Sequence, residues 1–307
     1  MKKATLPKII VILGPTSSGK SETAIQLAKK FDGEIISADS RQIYRGMDVG
    51  TGKVRGSWNA KRKVFISGNI VHYMIDIVSP ETEYNVSKFK KQSEKIIEDI
   101  LQRGKLPIIC GGTGFWIKAI VDNIDFPEVK PDWKLRKKLE KESTEKLFEK
   151  LKKLDPKRAK TIDKNNPARL IRAIEICKSL GTVPRSTTRD MQYAFLQIGI
   201  GVPKEKLQQN IRKRLEKRWK TGMIKEVNDL HKNQQMSWKK IQSFGLGYFW
   251  IPLFLQKKLS KEELFEKVYL AEKDYAKRQI TWFKKEQQIR WLKNYPTIEK
   301  EVRKFLD

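Results

Sequence analysis

Apolar and polar positions along the first 120 residues follow a pattern typical of strands that alternate with helices. Short apolar runs predict strands at Ile9–Leu13, Glu34–Ala38 and Leu106–Cys110, with a further extended segment at Val71–Val78. Helical spacing of apolar residues predicts helices over Ser21–Phe31 and Ser87–Arg103. Strands that alternate with helices pair in parallel, so the pattern predicts an α/β fold with a parallel sheet flanked by helices.

The pattern changes near Asp122, where charged helical segments replace the strands. Pro131–Lys153 and Pro156–Leu180 read as helical, and Phe195–Val202 looks like a strand that returns to the core. Four more helical segments follow at Lys204–Thr221, Ile224–Asn233, Lys239–Gln256 and Lys261–Lys285. We therefore predict a catalytic core from residues 1–121 and 204–307, and a helical insertion domain from residues 122–203.

The net charge of the chain indicates what kind of partner it binds. The 307 residues include 65 Lys and Arg against 36 Asp and Glu, a formal net charge of +29. Such an excess exceeds what solubility needs and indicates a polyanionic partner, either nucleic acid or an anionic membrane, unless the lysine content reflects a genome-wide bias. No segment approaches the ~20 apolar residues of a spanning helix, and the N-terminus lacks a signal-peptide core. We therefore expect a cytoplasmic protein that binds nucleic acid and not a membrane.

The cysteines argue against a zinc site. Cys110 and Cys177 form no C-x-x-C pair and no cluster with histidine. Both fall in apolar segments, so we expect buried thiols in a reducing compartment.

A phosphate-binding motif follows the first predicted strand. Gly14, Gly19, Lys20 and Ser21 fill the pattern G-x-x-x-x-G-K-[ST] between a strand and a helix. Backbone N–H groups of such a loop bind phosphate oxygens, a lysine adds charge, and the hydroxyl at the Ser21 position suits Mg²⁺. The predicted diphosphate-binding residues are Gly14, Pro15, Thr16, Ser17, Ser18, Gly19, Lys20 and Ser21. The motif therefore predicts that the α/β core has a P-loop NTPase-like fold.

Two further features lie at the ends of predicted strands. Asp39 follows the second strand and could be a metal-binding carboxylate, a general base or a turn carboxylate. Gly111–Gly114 is a glycine-rich turn after the strand that ends at Cys110. Ligands of open α/β sheets gather at the carboxyl ends of strands, so we expect both features to meet the phosphate loop.

Basic and aromatic residues alternate near the C-terminus, in Ala276–Phe283. Helical spacing places Lys277, Thr281 and Lys284 roughly on one side. The segment suits contacts with the RNA backbone and bases, or it is a solvated amphipathic helix.

These segments together resemble the tRNA dimethylallyltransferase family. The phosphate loop, Ile36–Lys53, Gly111–Gly114 and Ala276–Trp282 carry the resemblance, which runs in order over nearly the whole chain. The chain departs from the family pattern at Asn210, where the family has an arginine. The chain lacks the zinc finger of the eukaryotic relatives, and in this respect it resembles the bacterial members of the family.

The resemblance implies transfer of a dimethylallyl group from dimethylallyl diphosphate to the N6 amine of the adenosine 3′ of the anticodon in tRNA. It implies that Asp39, Lys20 and Arg214 are catalytic, with Asp39 taking the proton of the amine. It implies Mg²⁺ as cofactor, held in part by Ser21, and an insertion domain that binds the anticodon stem. The implied tRNA-binding residues are Asp39, Ser40, Arg41, Gln42, Thr113, Arg169, Arg172, Lys277 and Arg278. No obligate protein partner is expected.

Three alternatives remain. An adenylate prenyltransferase would carry out related chemistry on a free nucleotide, but the large insertion and the charge of +29 favour tRNA as the acceptor. A P-loop kinase of small molecules would explain the phosphate loop but not the charge of +29. An RNA-dependent ATPase would explain both, although the chain shows no clear acidic strand end of the kind that such enzymes use for Mg²⁺.

Overall fold

The computed structural model describes residues 6–184 and 190–307, and the chain divides into two compact units. The core unit contains Met1–Asp122 and Asp190–Asp307, and the insertion unit is Asn123–Arg189. Residues 1–5, on which the expectation of no signal peptide partly rests, lie outside the described residues. In the part of the chain that the structure describes, no helix combines the length and apolarity needed to cross a membrane.

One eight-stranded sheet organises the core unit. Its strands are β1 (Lys8–Leu13), β2 (Gly33–Ala38), β3 (Ser57–Asn59), β4 (Val64–Ser67), β5 (Ile70–Tyr73), β6 (Leu106–Gly111), β7 (Ala194–Ile200) and β8 (Arg290–Leu292). They lie in the order β3-β4-β5-β2-β6-β1-β7-β8. The predicted parallel pairing is confirmed for β1, β2, β5, β6 and β7, and β8, which was not predicted, also pairs in parallel with β7. The apolar runs of β1, β2, β6 and β7 are largely buried, because parallel sheets carry packed elements on both faces.

The edge of the sheet differs from the prediction. β3 and β4, and β4 and β5, pair in antiparallel fashion. The turn between β4 and β5 is Gly68-Asn69, and both residues have positive φ (57° and 64°), which is the geometry of a tight two-residue hairpin. The segment predicted as one extended run ends at Tyr73, since Met74 and Asp76 also adopt positive φ.

Thirteen helices belong to the described residues. They are α1 (Lys20–Lys30), α2 (Val86–Gln102), α3 (Gly114–Val121), α4 (Trp133–Leu139), α5 (Thr144–Leu154), α6 (Pro156–Ala159), α7 (Pro167–Leu180), α8 (Lys204–Lys220), α9 (Met223–Lys232), α10 (Trp238–Gln242), α11 (Gly247–Leu255), α12 (Lys261–Phe283) and α13 (Tyr295–Leu306). The helix predicted over Lys239–Gln256 is broken at Gly245 and Leu246, both of which have positive φ. The sequence reasoning missed α3, α13, β3, β4 and β8, and β3 falls within the segment 41–60 that was expected to be a loop.

The insertion also ends earlier in the chain than predicted. β7 pairs with β1 over six residues, from the pair Lys8 and Ala194 to the pair Leu13 and Gly199. The strand therefore belongs to the core sheet, and the core unit resumes at Asp190 instead of at residue 204. The returning strand was expected, but its place beside β1 depends on a pairing between residues far apart in the chain.

Candidate active site

The loop between β1 and α1 has the features of an anion-binding site. Ser17 and Gly19 adopt left-handed conformations (φ 62° and 92°), of the kind from which backbone N–H groups form concave nests. Helix α1 begins at Lys20 and has no side-chain cap, so its first N–H groups are available. In the part of the chain that the structure describes, the hydroxyl groups of Ser17 and Ser18 are buried without a hydrogen-bond partner. The loop therefore offers unsatisfied donors to a ligand.

Two cations lie at this loop. Lys20 donates from Nζ to a carbonyl oxygen of the loop at 3.2 Å. Arg214, on α8, donates from Nη1 to Thr16 Oγ1 at 2.8 Å and from Nη2 to the carbonyl oxygen of Gly52 at 2.7 Å. Burial is the main cause that lowers the pKa of both groups, and the nearby Arg218 lowers that of Arg214 further. Since these hydrogen bonds go to uncharged oxygens, the pair of cations favours an anionic ligand.

Gln279 connects the phosphate loop to the glycine-rich turn. The residue lies on α12 and is 6% exposed. Its Oε1 accepts a hydrogen bond from Thr16 N at 2.8 Å, and its Nε2 donates to the carbonyl oxygen of Gly112 at 2.9 Å. A Cβ atom at Gly112 would lie 2.3 Å from Nε2, so a glycine is needed there for the side chain to approach. The helix thereby fixes two turns that come from different strands.

Asp39 lies just beyond β2 and shapes the turn that follows. Its Oδ1 accepts hydrogen bonds from the backbone N–H groups of Arg41 at 2.9 Å and Gln42 at 3.4 Å. Ser40 N donates to Thr113 Oγ1 at 3.0 Å, which attaches this turn to the end of β6. The turn-carboxylate alternative is thus confirmed for one oxygen of Asp39. Both of these hydrogen bonds go to Oδ1, so the turn does not use Oδ2.

The three strand ends meet at one cavity of about 660 Å³, as their positions in the sequence predicted. The predicted site residues that line it are Thr16, Ser17, Gly19, Lys20, Ser21, Asp39, Ser40, Arg41, Gln42, Arg214 and Arg278. The glycines Gly50 and Gly52 and the apolar side chains Phe244 and Leu246 also line it. The cavity therefore combines a cationic phosphate site with apolar walls.

Other predicted site residues of the core unit lie outside this lining. Thr113 supports Ser40 through the hydrogen bond described above. Lys277 lines a separate groove of about 880 Å³ next to α8. Pro15, Thr281 and Lys284 line the same groove. The expected clustering of Lys277, Thr281 and Lys284 on one side of the helix is confirmed.

The predicted tRNA-binding residues of the insertion unit lie on α7. Arg169 is exposed. Arg172 donates to Glu175 Oε2 at 2.6 Å and to the carbonyl oxygen of Val129 at 3.0 Å. Burial alone would raise the pKa of Glu175, but the hydrogen bonds from Arg136 and Arg172 lower it. Arg172 therefore has a structural role within its own unit, and its contact with tRNA stays a prediction.

Sequence reasoning missed Tyr275 and Gln279 as site residues. They lie one helical turn apart on α12 and both line the cavity. Burial raises the pKa of the Tyr275 phenol, and the charge of Asp39 adds to this effect. Gln279 lies within the segment singled out as basic and aromatic and Tyr275 directly precedes it, so their i, i+4 spacing could have indicated that both face the same side of the helix.

No cluster of three acidic, histidine or cysteine side chains suitable for a metal occurs within residues 6–184 and 190–307. Mg²⁺ is commonly held by one or two protein oxygens together with substrate phosphates and waters. Ser21 and Asp39 line the same cavity as the phosphate loop and are oxygen donors of that kind.

Comparisons with a family model and with known proteins agree on one family. A family model described as IPP transferase matches residues 42–286. The tRNA dimethylallyltransferase of Acetivibrio thermocellus is 42% identical over 298 residues, which cover 94% of this chain and 92% of that protein.

Solved structures agree in fold. The tRNA delta(2)-isopentenylpyrophosphate transferase of Staphylococcus epidermidis is 37% identical with a TM-score of 0.68, and the match covers 98% of this chain and 99% of that one. A eukaryotic dimethylallyltransferase acting on tRNA is 27% identical with a TM-score of 0.76, and the match covers 94% of this chain and 74% of that one.

Proposed function

The chain belongs to the IPP transferase family, and from this premise we propose that its cavity joins dimethylallyl diphosphate to the N6 amine of the adenosine 3′ of the anticodon in tRNA. Family membership makes the chain an enzyme that modifies tRNA by dimethylallyl transfer, and not a small-molecule kinase or an ATPase. One observation supports the choice of residues: the phosphate loop, Arg214 and Asp39 line the same cavity.

The diphosphate end of the donor is assigned to the phosphate loop. Lys20 and Arg214 supply positive charge, and the N-terminus of α1 supplies N–H donors. The bond between the dimethylallyl carbon C1 and the bridging oxygen breaks during the reaction, and its electron pair leaves with diphosphate. These groups stabilise the charge that grows on that leaving group, which is the main electrostatic task of the site.

The acceptor is assigned to the turn that begins at Asp39. The adenine must leave its stack so that its exocyclic amine can reach C1. As the N–C1 bond forms, the nitrogen loses a proton, and Oδ2 of Asp39 is placed to accept it. The backbone N–H groups of Arg41 and Gln42 hold the other oxygen and fix the orientation of the carboxylate.

Magnesium is proposed as the cofactor. The Ser21 hydroxyl, at the N-terminus of α1, would hold it together with diphosphate oxygens. The ion would supply further charge neutralisation to the leaving group. Because tRNA is the acceptor, we also propose a cytoplasmic location and assign the net charge of +29 to phosphate contacts.

The test is transfer of label from dimethylallyl diphosphate to an anticodon stem-loop in the presence of Mg²⁺. The wild-type chain should label RNA that has adenosine at the 3′ neighbour of the anticodon, and should not label RNA with guanosine there. Asp39→Asn keeps an oxygen for the Arg41 N–H but removes the base, and should lower turnover by about 10²- to 10⁴-fold while RNA binding is retained.

The matched control is Asp274→Asn, at an exposed carboxylate on α12. It should transfer label at the wild-type rate. Normal turnover by Asp39→Asn would show that the general base lies elsewhere, and no label in RNA with the wild-type chain would refute the proposed function.

A further inference from the structure

A carboxylate outside the cavity holds one of its walls. Glu226, on α9, accepts hydrogen bonds at Oε2 from the backbone N–H groups of Asp48 at 2.7 Å and Val49 at 2.6 Å. Its Oε1 accepts from Gly50 N at 2.9 Å and from the Tyr248 hydroxyl at 2.7 Å. Four donors thus converge on one side chain, and three of them are consecutive backbone amides. This is a nest of the kind that binds anions, and here the chain fills it with its own carboxylate.

The far end of the same loop meets the arginines of α8. The carbonyl oxygen of Gly50 accepts from Arg218 Nη1 at 2.8 Å, and that of Gly52 accepts from Arg214 Nη2 at 2.7 Å. The loop therefore presents its amides to Glu226 and its carbonyl groups to the two arginines. Its position is set on both sides by charged hydrogen bonds, which are stronger than neutral ones.

The two arginines have different partners. Arg218 is 7% exposed and forms an ion pair with Glu272 on α12, itself 3% exposed. Among residues 6–184 and 190–307, the hydrogen bonds of Arg214 go to uncharged oxygens, on Thr16 and Gly52. The positive charge of Arg218 is thus neutralised inside the protein, whereas that of Arg214 is left for a ligand at the phosphate loop.

Close packing makes this arrangement sensitive to the position of the loop. A Cβ atom at Gly52 would lie 2.0 Å from Arg214 Nη2, and one at Gly50 would lie 2.5 Å from the Tyr248 hydroxyl. The loop backbone therefore passes directly against both side chains. Because Arg214 is hydrogen-bonded to the Gly52 carbonyl oxygen at 2.7 Å, a displacement of the loop would either move its guanidinium group or weaken that bond.

We propose that Glu226 is a positioning residue for the phosphate site: by holding the amides of Asp48–Gly50 it fixes the Gly52 carbonyl, and through it the guanidinium of Arg214. Tyr248 contributes as the fourth donor to the same carboxylate. The inference deepens the proposed function, because it rests on the assignment of Arg214 to the diphosphate. It predicts that Glu226 affects anion binding although it does not line the cavity.

The experiment is a double-mutant cycle read by calorimetric binding of inorganic pyrophosphate with Mg²⁺. Glu226→Gln keeps the size of the side chain but turns an NH₂ group toward a backbone donor, and should weaken pyrophosphate binding by about tenfold, the scale of one charge-assisted hydrogen bond. Tyr248→Phe removes a single donor and should weaken it by about two- to threefold.

The decisive comparison is the background of Arg214→Ala. If Glu226 acts through Arg214, then Glu226→Gln should change pyrophosphate affinity by less than about twofold once the arginine is gone. Anticodon stem-loop binding should stay within about twofold of wild type in both single variants, which a general loss of folding would not allow. Glu216→Gln, at an exposed position of α8, is the matched control and should bind pyrophosphate as wild type does.

Equal effects of Glu226→Gln with and without Arg214 would overturn the inference, as would wild-type affinity in Glu226→Gln. The outcome is separable from the proposed function. If the wild-type chain transferred no dimethylallyl group but the cycle still showed coupling, the proposed function would fail and the positioning role would stand.

Discussion

Replacement of Gln279 tests whether α12 holds the phosphate loop in place. In Gln279→Leu the backbone N–H of Thr16 and the carbonyl group of Gly112 lose their partners. Each buried backbone group left without a partner costs about 1–3 kcal/mol. Since Thr16 is partly exposed, water can form a hydrogen bond to its N–H group and recover part of that cost. We therefore expect the free energy of unfolding to fall by about 2–4 kcal/mol.

A second variant separates the two halves of this interaction. Gln279→Glu keeps an acceptor for Thr16 N but cannot donate to Gly112, and it places a negative charge beside the phosphate loop. It should be nearly as unstable as Gln279→Leu and should raise KM for dimethylallyl diphosphate by more, because like charges repel.

Urea unfolding and steady-state kinetics measure the two effects. Gln209→Leu, at an exposed position of α8, is the control and should lie within about 0.5 kcal/mol of wild type. If Gln279→Leu also stayed within that range, the two hydrogen bonds would not stabilise the fold and the reasoning would be refuted.

Three further predictions follow from buried ionisable groups. Arg218→Ala leaves Glu272 buried without its partner and should cost about 3–5 kcal/mol in urea unfolding. Burial alone would raise the pKa of Glu34, but hydrogen bonds from Arg103 and Tyr73 lower it below its usual 4.5. That stabilisation is present above pH 4.5 and is lost as the pH falls through the lower folded-state value, so wild type should lose its stability advantage over Glu34→Gln in acid. Burial raises the pKa of the Cys110 thiol to about 11, so a thiol reagent should label it at neutral pH only after unfolding.

Each of these has a result that would contradict it. Arg212→Ala removes an exposed arginine of the same helix and should cost less than about 1 kcal/mol; an equal loss in both arginine variants would argue against the buried pair. A stability gap between wild type and Glu34→Gln that did not change with pH would show that the carboxyl does not titrate as described. Fast labelling of Cys110 in the native chain would contradict its burial.

Local patterns of the sequence were sufficient for some of the fold. The run Ile9–Leu13 and the glycines and lysine after it predict a strand, a loop and a helix in direct succession, and the structure has all three. The hairpin at Gly68-Asn69 carries a recognisable turn signal that the sequence reasoning passed over. These features depend on neighbours in the chain, which is why sequence can reveal them.

Other features depend on residues that only folding brings together. Gln279 reaches Thr16 across 263 positions, and Glu226 reaches Gly50 across 176. Nothing in either local segment shows which backbone groups its side chain will meet. The place of β7 beside β1 is of the same kind, and so the extent of the insertion was predicted less well than its existence.

The central claim is that the phosphate loop binds a leaving group on carbon and not a phosphoryl group to be transferred. The most direct measurement uses dimethylallyl diphosphate with a heavy-oxygen label at the oxygen that bridges C1 and phosphorus, followed by mass spectrometry of the RNA and of the released diphosphate. The account predicts that all of the label appears in diphosphate and that the stem-loop gains one dimethylallyl group. Label in a prenyl alcohol, or phosphate on the RNA, would contradict it.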